Sequence, residues 1–328
     1  VLLPLVTVVA TGTVFVSVYL AAFHAPTPRD LPVAVVGTPQ QARQIADDLD
    51  RSMVDGFQVR RLATEGAARG ALKNRSIYAA YVTGTGGSAE MLYAGANGPS
   101  VTATAGDAFA DVASARGDAL GRQDVVPAPA GDTRSMSVFY ASFGVVLSGF
   151  LFGTATYQTA PRLRFHWRMA SLGLFGAVAG TMVALLTGSP GFDALPGPFL
   201  GIAGVVALLG AAAGGATMAL TRLLGPAIGT PVASVLLLTL GNSTSGGSMP
   251  PHYLPTWLNP LSDILPVGAA VRAVQGMSHF ESDGLVSGII NLTLWTVVSA
   301  AVVYKREARS PQEGRSPSPR RTPSAVSR

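Results

Sequence analysis

MSVFYASFGVVLSGFLFGTATY, residues 136–157, runs for twenty-two positions without an Asp, Glu, Lys or Arg. A helix rises about 1.5 Å per residue, so crossing roughly 30 Å of hydrocarbon takes about 20 predominantly apolar residues. The stretch is therefore long enough to cross a membrane. Four others meet the same condition, at 1–23, 169–187, 199–220 and 285–304. The chain reads as an integral membrane protein in which one span stands alone at the front. A polar stretch, 24–135, separates it from the others.

A sixth segment, within 226–245, is less plain. Its apolar core at 227–240 has only 14 residues and contains Pro231, so length alone would allow a buried or re-entrant piece. Charge placement decides. Short loops kept in the cytoplasm collect Lys and Arg; the loop 158–168 holds Arg162, Arg164 and Arg168, the next basic turn holds Arg222, and seven more basic residues follow from Lys305. If these share one side and 285–304 crosses, 226–245 must cross too. The expected architecture is an α-helical polytopic membrane protein with six transmembrane helices and both termini cytoplasmic. The inner segments then carry a net charge of +9 and the outer ones −4, which together make the +5 of the chain. The sequence pI near 9.8 follows from membrane topology, and nucleic-acid binding is not needed to explain it. The first span, 1–23, exceeds the usual core of a signal peptide and has no basic residue before it, which favours a retained helix over a cleaved one.

Cysteine is absent, so the polar domain has no disulfide or thiolate metal site. Lysine occurs twice against twenty-one arginines. The tail 305–328 is rich in Ser, Pro and Arg, poor in apolar residues, and expected to be disordered.

The domain 24–135 alternates between strand and helix signals. PVAVV at 32–36 is a short apolar run, and Thr38-Pro39-Gln40-Gln41 after it is a capping box with proline in the first helical turn. Ala42, Ile45, Ala46, Leu49 and Met53 recur at helical spacing up to Gly56. FQVRRL at 57–62 reads as a second strand, 64–73 as a helix weakened by Gly66 and Gly70, and 77–82 and 90–93 as strands about the turn 84–87. Val101, Ala105, Ala108, Phe109, Val112 and Leu120 predict a last helix. The natural assembly is a small α/β domain with three or four strands, extracytoplasmic and inserted between the first two spans.

Three stretches carry a resemblance: AAFHAPTPRDLPVAVVG at 21–37, DVVPAPAGDTRSMSVFYASFGVVLSGF at 124–150, and LGNSTSGGSMPPHYLPTWLNPLSDILPVGAAVRAV at 240–274. With ALKNRSIYAAYV at 71–82, they resemble the membrane subunits of the type 2 ABC exporter superfamily, in its phage-infection-protein-like and nitrosoguanidine-resistance-like actinobacterial branch. The resemblance covers all but the tail. It implies a bacterial plasma-membrane protein, a homodimer, and a separate ATP-binding subunit as partner. It also implies that Gly241, Asn242, Ser243, Ser245, Gly246 and Gly247 form a turn at the outer gate, and that Arg162, Arg164 and Arg168 form the cytoplasmic docking loop. The same basic loop suits the anionic headgroups of membrane lipids.

No G-x-x-x-x-G-K-[ST] loop is present, so any ATPase must be another polypeptide. The glycines at 84–87 do not complete G-x-G-x-x-G. His24, His166, His252 and His279 are scattered without metal-ligand spacing, and SGGS at 245–248 lacks the G-x-S-x-G of a nucleophile elbow. Neither catalysis, cofactor nor metal is expected. The spans hold no carboxylate, lysine or arginine, against a self-contained proton antiporter. They hold instead four G-x-x-x-G pairs, Gly149/Gly153, Gly176/Gly180, Gly210/Gly214 and Gly284/Gly288, suited to close helix packing within the bundle or between copies. In the outer segment 246–283, Val267, Ala270, Val271, Val274 and Met277 predict an amphipathic helix lying at the interface, with Trp257 as anchor. The sequence thus points to an exporter subunit moving amphipathic or hydrophobic compounds or lipids outward, or alternatively to a membrane-anchored surface receptor or adhesion protein.

Overall fold

The computed structural model describes residues 2–309. It is mainly helical, with five helices long and apolar enough to cross a membrane and one small sheet. The five are α1 (Leu2–Phe23), α5 (Ser137–Thr159), α6 (Phe165–Thr187), α7 (Phe199–Leu224) and α11 (Leu285–Arg309). Between α1 and α5 in the chain lie β1 (Leu31–Val36), α2 (Pro39–Ser52), β2 (Phe57–Leu62), α3 (Glu65–Lys73), β3 (Ala79–Thr83), β4 (Ser88–Tyr93), α4 (Pro99–Arg116) and β5 (Ala119–Asp124).

The strands form a five-stranded sheet in the order β2-β1-β3-β4-β5, parallel except where β3 meets β4. Successive side chains of a strand point to opposite faces, and β1 uses both. Val33 and Val35 pack with Ile45 and Leu49 of α2 and Phe109 of α4, while Ala34 and Val36 pack with Ala68 and Leu72 of α3. The capping box at α2 forms in both directions: Gln41 N donates to Thr38 Oγ1 at 3.3 Å and Thr38 N to Gln41 Oε1 at 2.9 Å. The fifth strand corrects the expectation of three or four. Leu120 belongs to β5 and not to the preceding helix, because Gly117 takes a left-handed conformation (φ 73°) that ends α4.

In the bundle, α7 is central, with Ala212, Ala213 and Thr217 fully buried. All four glycine pairs serve seams inside the one chain. A Cβ on Gly149 or Gly153 would meet Ala213 or Thr217 of α7; one on Gly176 would lie 2.7 Å from Ala207 O, and one on Gly180 would strike Ala203 O. Gly210 and Gly214 face α5 and α6, and Gly288 faces Ala269. At the front of α5, the Asp132 carboxylate accepts from the Met136 and Ser137 amides, both at 2.9 Å, which satisfies donors a helix start leaves open.

After α7 comes α8 (Pro226–Ala233), continued by π-helical residues Ser234–Gly241. This apolar piece is shorter than the five long helices. It starts beside the end of α7, where Gly229 abuts Leu220 and Thr221, and finishes where Gly241 abuts Val267. Then follow α9 (Leu261–Ile264) and α10 (Pro266–His279). The expectation of a helix lying on the interface is corrected here: α10 is buried on most of its circumference, clustered with α5, α7 and Leu292 of α11. Its small residues, Gly268, Ala269, Ala270, Ala273 and Gly276, let it sit among the larger helices. Of the tail expected from 305, residues 305–309 are corrected to the last turn of α11, and residues 310–328 lie outside the described residues.

Candidate functional site

Two ends of the bundle differ in chemistry. At one, α6, α7 and α11 converge through charge: Arg168 Nε lies 3.0 Å and Arg222 Nη2 3.5 Å from Glu307 Oε1. Arg168 also donates to Ala160 O and Leu163 O and is only 1% exposed. A guanidinium so enclosed has no surface to offer a partner, whereas Arg162 and Arg164 are exposed on the same loop. The loop has no acid of its own; its counter-charge comes from α11, more than a hundred residues away in the chain.

The opposite end carries the sheet domain, docked onto the 246–283 segment. Docking begins with a turn between α10 and α11 in which Glu281, Ser282 and Gly284 all have positive φ. Ser282 N donates to Gly276 O at 2.9 Å and Asp283 N to Phe280 O at 2.8 Å. The turn sends Phe280, 1% exposed, into the α3 face of the sheet, beside Leu72, Ile77 and Leu92. It also aims Asp283 at two arginines. Arg75, itself left-handed (φ 55°) just past α3, donates to Asp283 Oδ2 from Nη2 at 2.8 Å and to Gln275 Oε1 from Nη1 at 2.7 Å, with its guanidinium 4.8 Å above the Phe280 ring. Arg272 grips the same carboxylate, Nη2 to Oδ1 at 3.1 Å and Nε to Oδ2 at 3.2 Å. Burial alone would raise the Asp283 pKa; hydrogen bonds from Arg272 and the charge and hydrogen bonds of Arg75 outweigh it and hold the carboxyl below its ordinary value.

Beside this clamp a cleft of about 340 Å³ opens between the sheet domain and the segment below it. Arg75, Tyr78 and Asn97 face it from above; Ser245, His252 and Arg272 face it from below. Tyr78 and His252 meet edge to face, 5.3 Å between centroids. Burial raises the Tyr78 pKa against the opposing charges of Arg75 and Arg272, and burial lowers that of His252 against the pull of Asp30. At neutral pH the cleft thus presents a phenol and an uncharged imidazole. Arg29 ties the two walls, donating from its amide to His252 O at 2.8 Å and from Nη1 to Leu254 O at 3.2 Å. Among the described residues no three His, Asp or Glu side chains converge as a metal site would need.

The glycine-rich turn lies at this end. Asn242, Ser243, Thr244 and Ser245 are buried, and their side chains donate largely to the chain just before them, Asn242 Nδ2 to Leu238 O at 3.2 Å and Ser245 Oγ to Asn242 O at 2.8 Å. Three glycines permit close approach: a Cβ on Gly241 would lie 2.8 Å from Val267 of α10 and one on Gly247 3.0 Å from Phe139 of α5, while Gly246 has φ 76°. Ser245 and Gly246 reach the cleft; Gly241, Asn242, Ser243 and Gly247 do not line it. Sequence reasoning missed Arg75, Tyr78, Asn97, His252 and Asp283 as a group, since nothing in the chain signals that residues two hundred positions apart will meet. The one available sign was Arg272, an arginine in the middle of a largely apolar helix. Neither a protein-family model, nor a curated protein, nor a solved structure matches this chain, so its function rests on the geometry of these two ends.

Proposed function

We propose that the protein is the membrane subunit of an exporter in the bacterial plasma membrane, moving amphipathic compounds or lipids outward on energy from a separate ATPase. In this reading α8 and its π-helical continuation are the sixth span, the sheet domain is extracytoplasmic, and both termini are cytoplasmic. The observation that carries it is the broken helix 226–241, which runs between the two ends of an otherwise uncharged bundle and finishes in the buried polar turn 242–245. Discontinuous helices with satisfied polar backbone are where transporters bind and gate, and π-helical turns concentrate at functional sites. Among the described residues a void of about 10 Å³ in the bundle is lined by apolar side chains and Ser142, and in this reading the path for cargo runs along a lipid-facing surface or between two copies.

Arg162 and Arg164, exposed at the arginine-bearing end, are the residues left to dock the ATPase; Arg168 acts as an internal tie. A Walker-motif ATPase should co-purify with the unaltered protein and be lost from an Arg162→Ser, Arg164→Ser variant whose helical content is unchanged. If no such ATPase accompanies the unaltered chain, and its deletion leaves amphiphile accumulation unchanged, the exporter reading fails. A receptor on a membrane anchor then takes its place, a reading favoured by the cleft beneath the sheet.

A further inference from the structure

The cleft is balanced in charge but not in hydrogen bonds. Asp283 is shared between Arg75 and Arg272, and Arg272 Nη1 has Asp263 3.9 Å away. Two cations face two anions, so neither an anion nor a cation finds a net opposite field. The unmet capacity is neutral: Asn97 Nδ2 and His252 Nδ1 are buried without a partner, and both residues line the cleft. A buried polar group left unpaired is costly, and groups of this kind call for a partner. The uncharged side chains of Asn97 and His252, with the rim carboxylate of Asp263, match a ligand group whose atoms both donate and accept without carrying charge. Hydroxyls do so. The volume lies at the small end of the usual range for ligand pockets, about 300–1,000 Å³.

The cleft also has an exit. A second cavity of about 270 Å³ shares Ser262, Asp263, Gly268 and Arg272 with it and reaches Ser287 and Gly288 in the first turns of α11. Ile264, Val286 and Ile290 are exposed around this end of α11, which forms a rim suited to lipid chains. We propose that the cleft binds the uncharged, hydroxyl-rich headgroup of a glycosylated amphiphile, whose apolar chain leaves through the groove at Gly288 and lies along α11. This deepens the exporter reading by naming the class of cargo, and it requires the cleft to sit at the membrane surface.

The test uses full-length protein in phosphatidylcholine nanodiscs doped with a glucosyl-diacylglycerol, with phosphatidylglycerol, or with neither, scoring retained lipid by native mass spectrometry and Tm. The glucosyl lipid should be retained and raise Tm; phosphatidylglycerol should do neither, and free maltose should compete only at far higher concentration, which separates an amphiphile from a soluble sugar. Asn97→Leu with His252→Phe should weaken glucosyl-lipid retention about tenfold while Tm without that lipid stays level or rises, because each change removes an unpaired buried group. Should the double variant not fold, Asn97→Asp, nearly isosteric but charged, should weaken retention by itself. Preference for phosphatidylglycerol, equal retention by wild type and variants, or a lower Tm of the variants in plain nanodiscs would overturn the proposal. So would no response to the glucosyl lipid, leaving a cleft filled by water only. No ATPase enters the measurement, so its failure leaves the export reading standing, and a missing ATPase leaves this result intact.

Discussion

Single side chains in the docking interface translate burial into a pH response. His252 and His279 both have pKa values lowered by burial, each opposed by a nearby carboxylate, Asp30 and Asp132 respectively, and reinforced by Arg272 and Arg75. A histidine whose folded pKa lies below its unfolded value of about 6.5 is stabilising above that value, because the unfolded chain binds the proton more readily; the contribution disappears as pH falls through the folded pKa. Asp283 behaves likewise about a lower point, its stabilisation present above the ordinary carboxylate range and lost only below it. Thermal unfolding of the whole protein should therefore show a first loss of stability as pH drops below about 6.5, well before carboxylates titrate. His252→Phe keeps the ring against Tyr78 and removes one titrating group, so its Tm should fall less steeply than that of wild type between pH 6.5 and pH 5. Parallel curves for the two proteins would show that the imidazole is not the titrating group.

At the scale of elements, helix seams depend on where a glycine lacks a side chain. Gly180 of α6 sits so close to Ala203 O of α7 that an added Cβ would collide with backbone, whereas Gly173 on the same helix has nothing within 4 Å. Overpacking a closed seam costs about 1–3 kcal/mol, while replacing an open helical glycine by alanine gains roughly 0.5–1 kcal/mol. Gly180→Val should thus lower Tm and expression, and Gly173→Ala should leave both level or slightly improved; equal effects at the two sites would contradict the seam. The G-x-x-x-G spacing was legible in the sequence, but which surface used it was not, since small residues suit a dimer as well as a bundle. The same divide separates the strands. β1 to β4 announce themselves through apolar runs and the Thr38 capping box, whereas β5, ALGRQD, is largely exposed and shows no alternation to read. α10 misleads for a related reason. Its apolar stripe, with Arg272, Gln275 and His279 elsewhere around it, has the pattern of a surface helix, yet its Gly and Ala residues let neighbours close over the remaining faces. Local patterns register what a residue prefers; the Arg75, Arg272 and Asp283 clamp depends on the fold bringing together positions that no local pattern links.

The whole molecule separates charge along its length: Arg162, Arg164 and Arg222 gather at one end with Lys305, and the sheet domain occupies the other. Short basic loops stay in the cytoplasm, which gives the proposed six-span arrangement a direction that geometry by itself does not. Whether 226–241 crosses is the critical step, because eight α-helical residues account for about 12 Å at 1.5 Å each and the π-helical part must cover much of the rest of roughly 30 Å. A local thinning of the bilayer or tilt of the bundle accommodates such a mismatch at modest cost. The chain contains no cysteine, so single cysteines report position without background. Ser88→Cys, on the sheet, and Trp257→Cys, after the buried turn, should react with a membrane-impermeant thiol reagent on intact cells. Arg164→Cys and Ala308→Cys should react only after permeabilisation. If Ser88 and Trp257 were labelled from opposite sides, the segment 226–241 would not cross and the docked interface of Arg75 with Asp283 could not form in the membrane. The pair therefore tests the topology and the interdomain clamp at once: a protein that joins residues 75 and 283 at 2.8 Å must keep both on one side of the bilayer.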